Sequence, residues 1–151
     1  MSVTAQPIHG SYLMPSLEHA RVADVMHAGI VAAAPDMSLT QVARLMATHH
    51  VHCVAVGGIS SAAGGESLVW GIISDIDLLR AGLGTDSGDT AASMAVTPVV
   101  TVEPVAPLRD AGELMLSHGA SHLVVVDPKI GRPVGLLSTL DIAGVLAWGE
   151  A

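Results

Sequence analysis

Apolar positions fall into two stretches of the chain with the same rhythm. In the first, Leu39, Val42, Ala43 and Met46 stand at i, i+3, i+4 and i+7, the spacing of one buried helical face. Ser38 just ahead and Gln41 three residues on form a capping-box signal for the start of that helix. A short Val- and Ala-rich run at residues 30–33, closed by Pro35, reads as a strand before it. Two more apolar runs, 51–56 and 68–73, read as strands, and a last helix is expected from near Asp77. The second stretch repeats the grammar: a strand at 99–102, a proline, a helix, strands at 123–126 and 133–137, and a helix from near Asp141. The predicted order is β-α-β-β-α, written twice, an α+β fold.

The two copies align residue by residue. At an offset of 69, Leu39 meets Leu108, Leu45 meets Leu114, Met46 meets Met115, His49 meets His118 and Val56 meets Val125. Gly71-Ile72-Ile73-Ser74-Asp75-Ile76-Asp77 then meets Gly135-Leu136-Leu137-Ser138-Thr139-Leu140-Asp141 at an offset of 64. The offset falls because the first copy carries five more residues in the loop at 57–67, rich in Gly, Ser and Ala and expected to be mobile. A unit of about 60 residues buries little core alone, so the copies are expected to pack on each other. The boundaries drawn from this are a tail at 1–20, a first repeat at 21–84 and a second at 85–151.

Composition narrows the function. Half of the 151 residues are hydrophobic and 13% are charged, which excludes disorder for most of the length. With two Trp, one Tyr and no Phe, the core must be filled by aliphatic residues and Met, and stacking platforms for single-stranded nucleic acid are lacking. A net charge of −8 with six Lys plus Arg supplies no basic face, so nucleic-acid binding is not expected. The single cysteine, Cys53, permits no intrachain disulfide and suits a reducing cytoplasm. The apolar runs are far short of the ~20 residues that span a bilayer, so no membrane segment is expected. Residues 1–20 lack the basic start and apolar stretch of a signal peptide.

The chemistry sits in Ser74-x-x-Asp77 and Ser138-x-x-Asp141. An aspartate offers two oxygens that accept from the hydroxyls of a ribose diol, the logic by which dinucleotide folds hold ribose. A serine just before a helix stands where backbone N–H groups and the positive dipole end favour a phosphate or other anion. The plainer reading is equally natural: Ser-x-x-Asp is a helix cap with an acidic first turn, contributing ~0.5–2 kcal/mol. The duplication in register speaks for ligand contact at one cleft or more.

That repeat, each copy closing on Gly-h-h-Ser-x-x-Asp with h apolar, resembles the cystathionine-β-synthase (CBS) domain family. Ala23-Asp24-Val25-Met26, the strand leading to a proline, and Ser121-His122-Leu123-Val124-Val125-Val126-Asp127 also look like family segments, and the likeness spans about residues 20–148. It implies two CBS repeats packed about a pseudo-twofold axis, a Bateman module, with two clefts that in many members hold AMP, ADP, ATP or S-adenosylmethionine. It further implies a homodimer and a regulated enzyme, channel or transporter. Adenine would lie against the residues entering the first strand, here Ile30 and Val31, and Val99 and Val100. The phosphate positions are taken by His52 with Cys53, and by Ser121 with His122. Arg80 reaches from the last helix of the first copy, but its counterpart is Gly144, and Asp75 adds negative charge beside Ser74. A triphosphate is poorly served, so AMP, ADP or an adenosyl compound of low charge is favoured. The chain departs from the family at Val56-Gly57-Gly58, where an apolar residue and Asp are usual, and at Ala55 and Val124, where proline is usual. These changes bear on whether both clefts fill.

Two other classes compete with this reading. His49, His50, His52 and Cys53 crowd one segment, and His118 and His122 its counterpart. Imidazole and thiolate bind zinc, and His52, Cys53 and His122 are the metal candidates, but the spacing matches no standard zinc motif and no metal site is assigned. The alternative is an interaction module, or a zinc-stabilised dimer, with empty clefts. An enzyme is not expected: Ser74 and Ser138 have no neighbouring base and neither lies in a nucleophile elbow. No catalytic residue and no catalytic cofactor is assigned.

Overall fold

A computed structural model describes residues 14–59, 67–84, 88–95 and 99–150. The expected mobile loop falls largely at 60–66, and most of the expected tail at 1–13, both outside the described residues. In chain order the elements are α1 (Val22–Val25), β1 (His27–Ala28), β2 (Ala32–Ala33), α2 (Leu39–His49), β3 (Cys53–Ile59), β4 (Ser67–Ser74) and α3 (Asp75–Gly82). There follow α4 (Ala91–Met94), β5 (Thr101–Val102), α5 (Leu108–His118), β6 (His122–Asp127), β7 (Arg132–Ser138) and α6 (Thr139–Trp148).

The repeat is visible in the hydrogen-bond register. β2 pairs in parallel with β3, Ala32 opposite Ala55, and β3 pairs antiparallel with β4. β5 pairs in parallel with β6, Thr101 opposite Val124, and β6 pairs antiparallel with β7. Each hairpin slips register at the same place, Val56/Gly57 in one and Val125/Val126 in the other. Both opening strands are shorter than expected. Only two residues of each enter the ladder, and Ile30, Val31, Val99 and Val100 lead into it. The last helices begin two residues earlier than expected, at Asp75 and Thr139, with the serines as their caps.

Helix α2 starts as its sequence dictates. The Ser38 hydroxyl accepts from the Gln41 N–H, and the Gln41 side chain accepts from the Ser38 N–H. Its apolar stripe buries Val42 and Met46 against Ala33, Val54, Val56 and Ile73. In the second copy Leu108, Ala111 and Met115 of α5 pack on Leu123, Val125, Leu137 and Val145. Side chains alternate across a strand, so Ala55 and Val124 point away from these helices, yet both are buried. β4 and β7 contact one another, so the opposite faces of the two sheets are closed by the other copy.

Neither core is completed by its own repeat. Ala20, at the end of the expected tail, and Val22, at the start of the first repeat, lie in the core of the second. Ala91, near the start of the second repeat, lies in the core of the first. Backbone bonds fasten both exchanges: Val22 N–H donates to Ala106 O at 3.0 Å, and Ala91 N–H to Met37 O at 2.8 Å. Strand β1 crosses in the same sense, pairing antiparallel with β7, His27 opposite Leu136 and Ala28 opposite Gly135. The approach is so close that a Cβ on Gly135 would lie 2.5 Å from the His27 carbonyl oxygen. Gly29, at φ +81°, then turns the chain back to the first sheet, a backbone region in which glycine carries no Cβ penalty. This exchange is what carries His27 to the second copy's turn.

Candidate functional site

Two turns of identical build sit where β4 meets α3 and where β7 meets α6. In the first, Asp77 Oδ2 accepts from the Ser74 N–H at 2.9 Å and from the Ser74 hydroxyl at 2.8 Å. In the second, Asp141 Oδ2 accepts from the Ser138 N–H at 2.7 Å and from the Ser138 hydroxyl at 3.0 Å. Each serine hydroxyl in turn accepts the aspartate N–H, at 3.4 and 3.3 Å. The capping reading is therefore realised in both copies. It leaves Oδ2 saturated, so a ribose diol would have to share Oδ1.

The outward oxygens meet different partners. Arg80 Nη1 lies 3.5 Å from Asp77 Oδ1, and His27 Nε2 lies 2.9 Å from Asp141 Oδ1. The aspartate side chains are 13% and 8% exposed, against 75% and 74% for Arg80 and His27. Both carboxylates are thus set into the protein while their partners reach in from solvent. Sequence reasoning passed over His27. Its counterpart in sequence at the offset of 69 is Val96, and only the long-range pairing of β1 with β7 brings His27 here.

The anion site expected at the start of α3 is largely used up. The Asp75 N–H donates to His52 O at 2.9 Å, the Asp77 N–H to Ser74 Oγ, and the Ile76 N–H to the Asp75 carboxylate. Few donors remain for a phosphate there, which sharpens the expectation of a ligand of low charge. The backbone acceptors at the first strands are engaged as well. Val31 O accepts the Ala55 N–H at 2.9 Å, and Val100 O accepts the Val124 N–H at 3.1 Å. Ile30, Val31, Val99 and Val100 are all half-buried.

The residues at the proposed phosphate positions diverge. His52 Nδ1 lies 2.9 Å from Asp75 Oδ2, and that bond, outweighing the upward push of burial, holds the Asp75 carboxyl below its ordinary value. Ser121 Oγ lies 3.0 Å from His122 Nδ1. Burial pushes the His122 imidazole down. The charge of Asp75 opposes that shift, His52 reinforces it, and Asp141 and Asp77 oppose it more weakly. Groups of both copies therefore converge on His122. Cys53 is buried and its thiol is pushed up to about 12, by desolvation first and then by Asp77 and Asp75. A thiol so placed stays protonated and is a poor zinc ligand. Among the described residues no three or more His, Cys, Asp or Glu are placed to hold a metal ion, so the candidates His52, Cys53 and His122 do not form one.

Away from the turns, a groove of about 350 Å³ runs between α5 and α6, lined by Leu108, Gly112, Leu116, Ile142, Leu146 and others. Large apolar side chains are exposed on α6 (Leu140, Leu146 and Trp148) and on and just after α3 (Ile76, Leu79 and Leu83). No helix among the described residues is long and apolar enough to cross a membrane.

Duplicated β-α-β-β-α units, exchanging their leading segments and closing on paired Ser-x-x-Asp turns, define a tandem-repeat α+β module. The family model for the CBS domain matches residues 22–84 and again 91–147, so the chain belongs to the CBS domain family and carries the domain twice. No curated protein matches it significantly. Among solved structures, the CBS domain pair of protein MJ0100, in complex with 5′-methylthioadenosine and S-adenosyl-L-methionine, is similar at a TM-score of 0.71 and 20% identity, over 85% of this chain and 96% of that one. The CBS domain protein PAE2072 from Pyrobaculum aerophilum, complexed with AMP, is similar at 0.69 and 24%, over 85% and 96%. Hypoxic Response Protein I, with two coordinated zinc ions, is similar at 0.64 and 24%, over 82% and 97%. At these identities the likeness is one of fold.

Proposed function

We propose that the chain is a non-catalytic regulatory module that takes an adenosine-containing ligand between its two CBS repeats. AMP, ADP or an adenosyl compound of low charge fits better than a triphosphate. In this reading Asp77 and Asp141 accept the ribose hydroxyls through Oδ1, with Ser74 and Ser138 locking the carboxylates. Ile30 and Val31, and Val99 and Val100, flank the base. His52, Ser121, His122 and Arg80 stand toward the 5′ group. The observation that carries the reading is the pair of turns whose nearly buried carboxylates each keep one oxygen directed outward. The adenosine ligands held by MJ0100 and PAE2072 support it.

Thermal shift tests it. A ligand at 100 times its Kd stabilises the folded state by ~2.7 kcal/mol. AMP, ADP or S-adenosylmethionine is expected to raise the melting temperature, and Asp77→Ala and Asp141→Ala each to reduce the rise. A parent that responds to none of them, or variants that respond as the parent does, would refute the reading.

The apolar outer surface on α6, and on and just after α3, supports a homodimer as the working form, through which ligand state is passed to an enzyme or transporter. Sedimentation equilibrium is expected to show a dimer that Leu146→Asp disrupts. A monomeric parent would remove the dimer from the proposal.

A further inference from the structure

The two clefts have different keepers. We propose that His27 is a displaceable gate on the second cleft, holding the oxygen of Asp141 that a ligand must take. The inference rests on the adenosine reading of the Ser-x-x-Asp turns. Asp141 Oδ2 is saturated by Ser138, so Oδ1 is its remaining acceptor, and His27 Nε2 occupies it at 2.9 Å. Strand β1 carries His27 and is fixed to β7 by its register and by the Gly29 N–H, which donates to Val134 O at 2.9 Å. The imidazole itself is 74% exposed, so it leaves without unpacking the core. In sequence the counterpart of His27, at the offset of 69, is Val96, which has no polar side chain. Among the described residues, Asp77 Oδ1 in the first cleft is met only by Arg80 of its own helix, at 3.5 Å. The first cleft is therefore the more open, and the ligand fills it first.

Calorimetric titration with AMP separates the clefts. Asp77→Ala silences the first and leaves the second to be read alone. In that background His27→Ala is expected to tighten AMP by about threefold to fivefold, the size of one partly exposed ion pair. His27→Gln, which keeps a donor, is expected to fall between the two. Adding Asp141→Asn should abolish the gain, which general loosening of the fold would not do. In the parent, the His27 imidazole proton resonances should shift as the second, weaker AMP equivalent binds. If Asp77→Ala binds AMP and His27→Ala leaves the affinity equal or weaker, the gate is refuted while the adenosine reading stands. If AMP binds neither the parent nor His27→Ala, both fall. If AMP binds only when His27 is removed, the gate is supported in its strongest form.

Discussion

The two repeats share a backbone and differ in the side chains it presents. Thr139 N–H donates to Ser121 O at 3.0 Å as Asp75 N–H donates to His52 O at 2.9 Å, so the two turns superpose bond for bond. Yet where the first has the His52–Asp75 pair, the second has Ser121 and Thr139. Where β3 opens with buried Cys53, β6 opens with half-buried His122. What the duplication preserves is the part that folding itself requires: a serine cap, an aspartate closing it, and alternating apolar residues behind. What diverges is what a ligand would meet. Fold likeness between the copies therefore does not imply two equivalent sites.

The core shows the same inequality, and the largest expected effects test it. Leu108 is fully buried and its N–H donates to Ala20 O at 2.9 Å, while its counterpart Leu39 is only half-buried. Leu108→Ala is expected to cost about 2–5 kcal/mol, and Leu39→Ala about half of that. Urea unfolding of the two variants measures the difference. Equal losses would mean that the second copy's core is no tighter than the first's.

The turns, the main helices and the central hairpins were legible because each is written locally. Ser38 and Gln41 announce a helix start, and Leu39, Val42 and Met46 give its inner face. The family resemblance rested on the same local segments. Helices α1 and α4 and strand β1 were not legible. They are two to four residues long, too short to show a period, and their partners lie roughly a third to three quarters of the chain away. The Ala23-Asp24-Val25-Met26 segment was noticed as a motif, but nothing in it says that Val22 docks in the other repeat. His27 was missed for the same reason: its role comes from a pairing at long range. The expected phosphate donors at α3 failed on local details, since the Asp75 N–H goes to His52 O, the Asp77 N–H to Ser74 Oγ and the Ile76 N–H to the Asp75 carboxylate.

A smaller contrast lies at the helix ends. α2 stops on His50 in the left-handed region at φ 53°, and α5 stops on Gly119 at φ 60°. A non-glycine residue held there costs roughly 1 kcal/mol. His50→Gly is expected to stabilise the protein by about that much, and Gly119→Ala to destabilise it by about the same. Thermal melts of the pair give opposite signs if both ends are held alike. A destabilised His50→Gly would mean that the His50 side chain contributes more than its backbone strain removes.

The finest contrast is in proton linkage, because the residues that open β3 and β6 titrate on opposite sides of neutrality. Burial holds the His122 imidazole below its ordinary 6.5. The unfolded chain then binds more protons there than the folded one, so stability from this group is full above pH 6.5 and falls as pH drops below it. The Cys53 thiol is raised from 9.0 to about 12, so its contribution is full below pH 9 and is lost as pH rises from there toward 12. Asp75, held down chiefly by His52, adds a further loss only as pH falls below 3.8. His122→Asn should therefore flatten the stability profile just below neutrality and leave the alkaline side untouched, while Cys53→Ser should do the reverse. Denaturant midpoints between pH 5 and 10 resolve the two limbs, and a His122→Asn profile still sloping as the parent's does would place the acid-sensitive group elsewhere than at the start of β6.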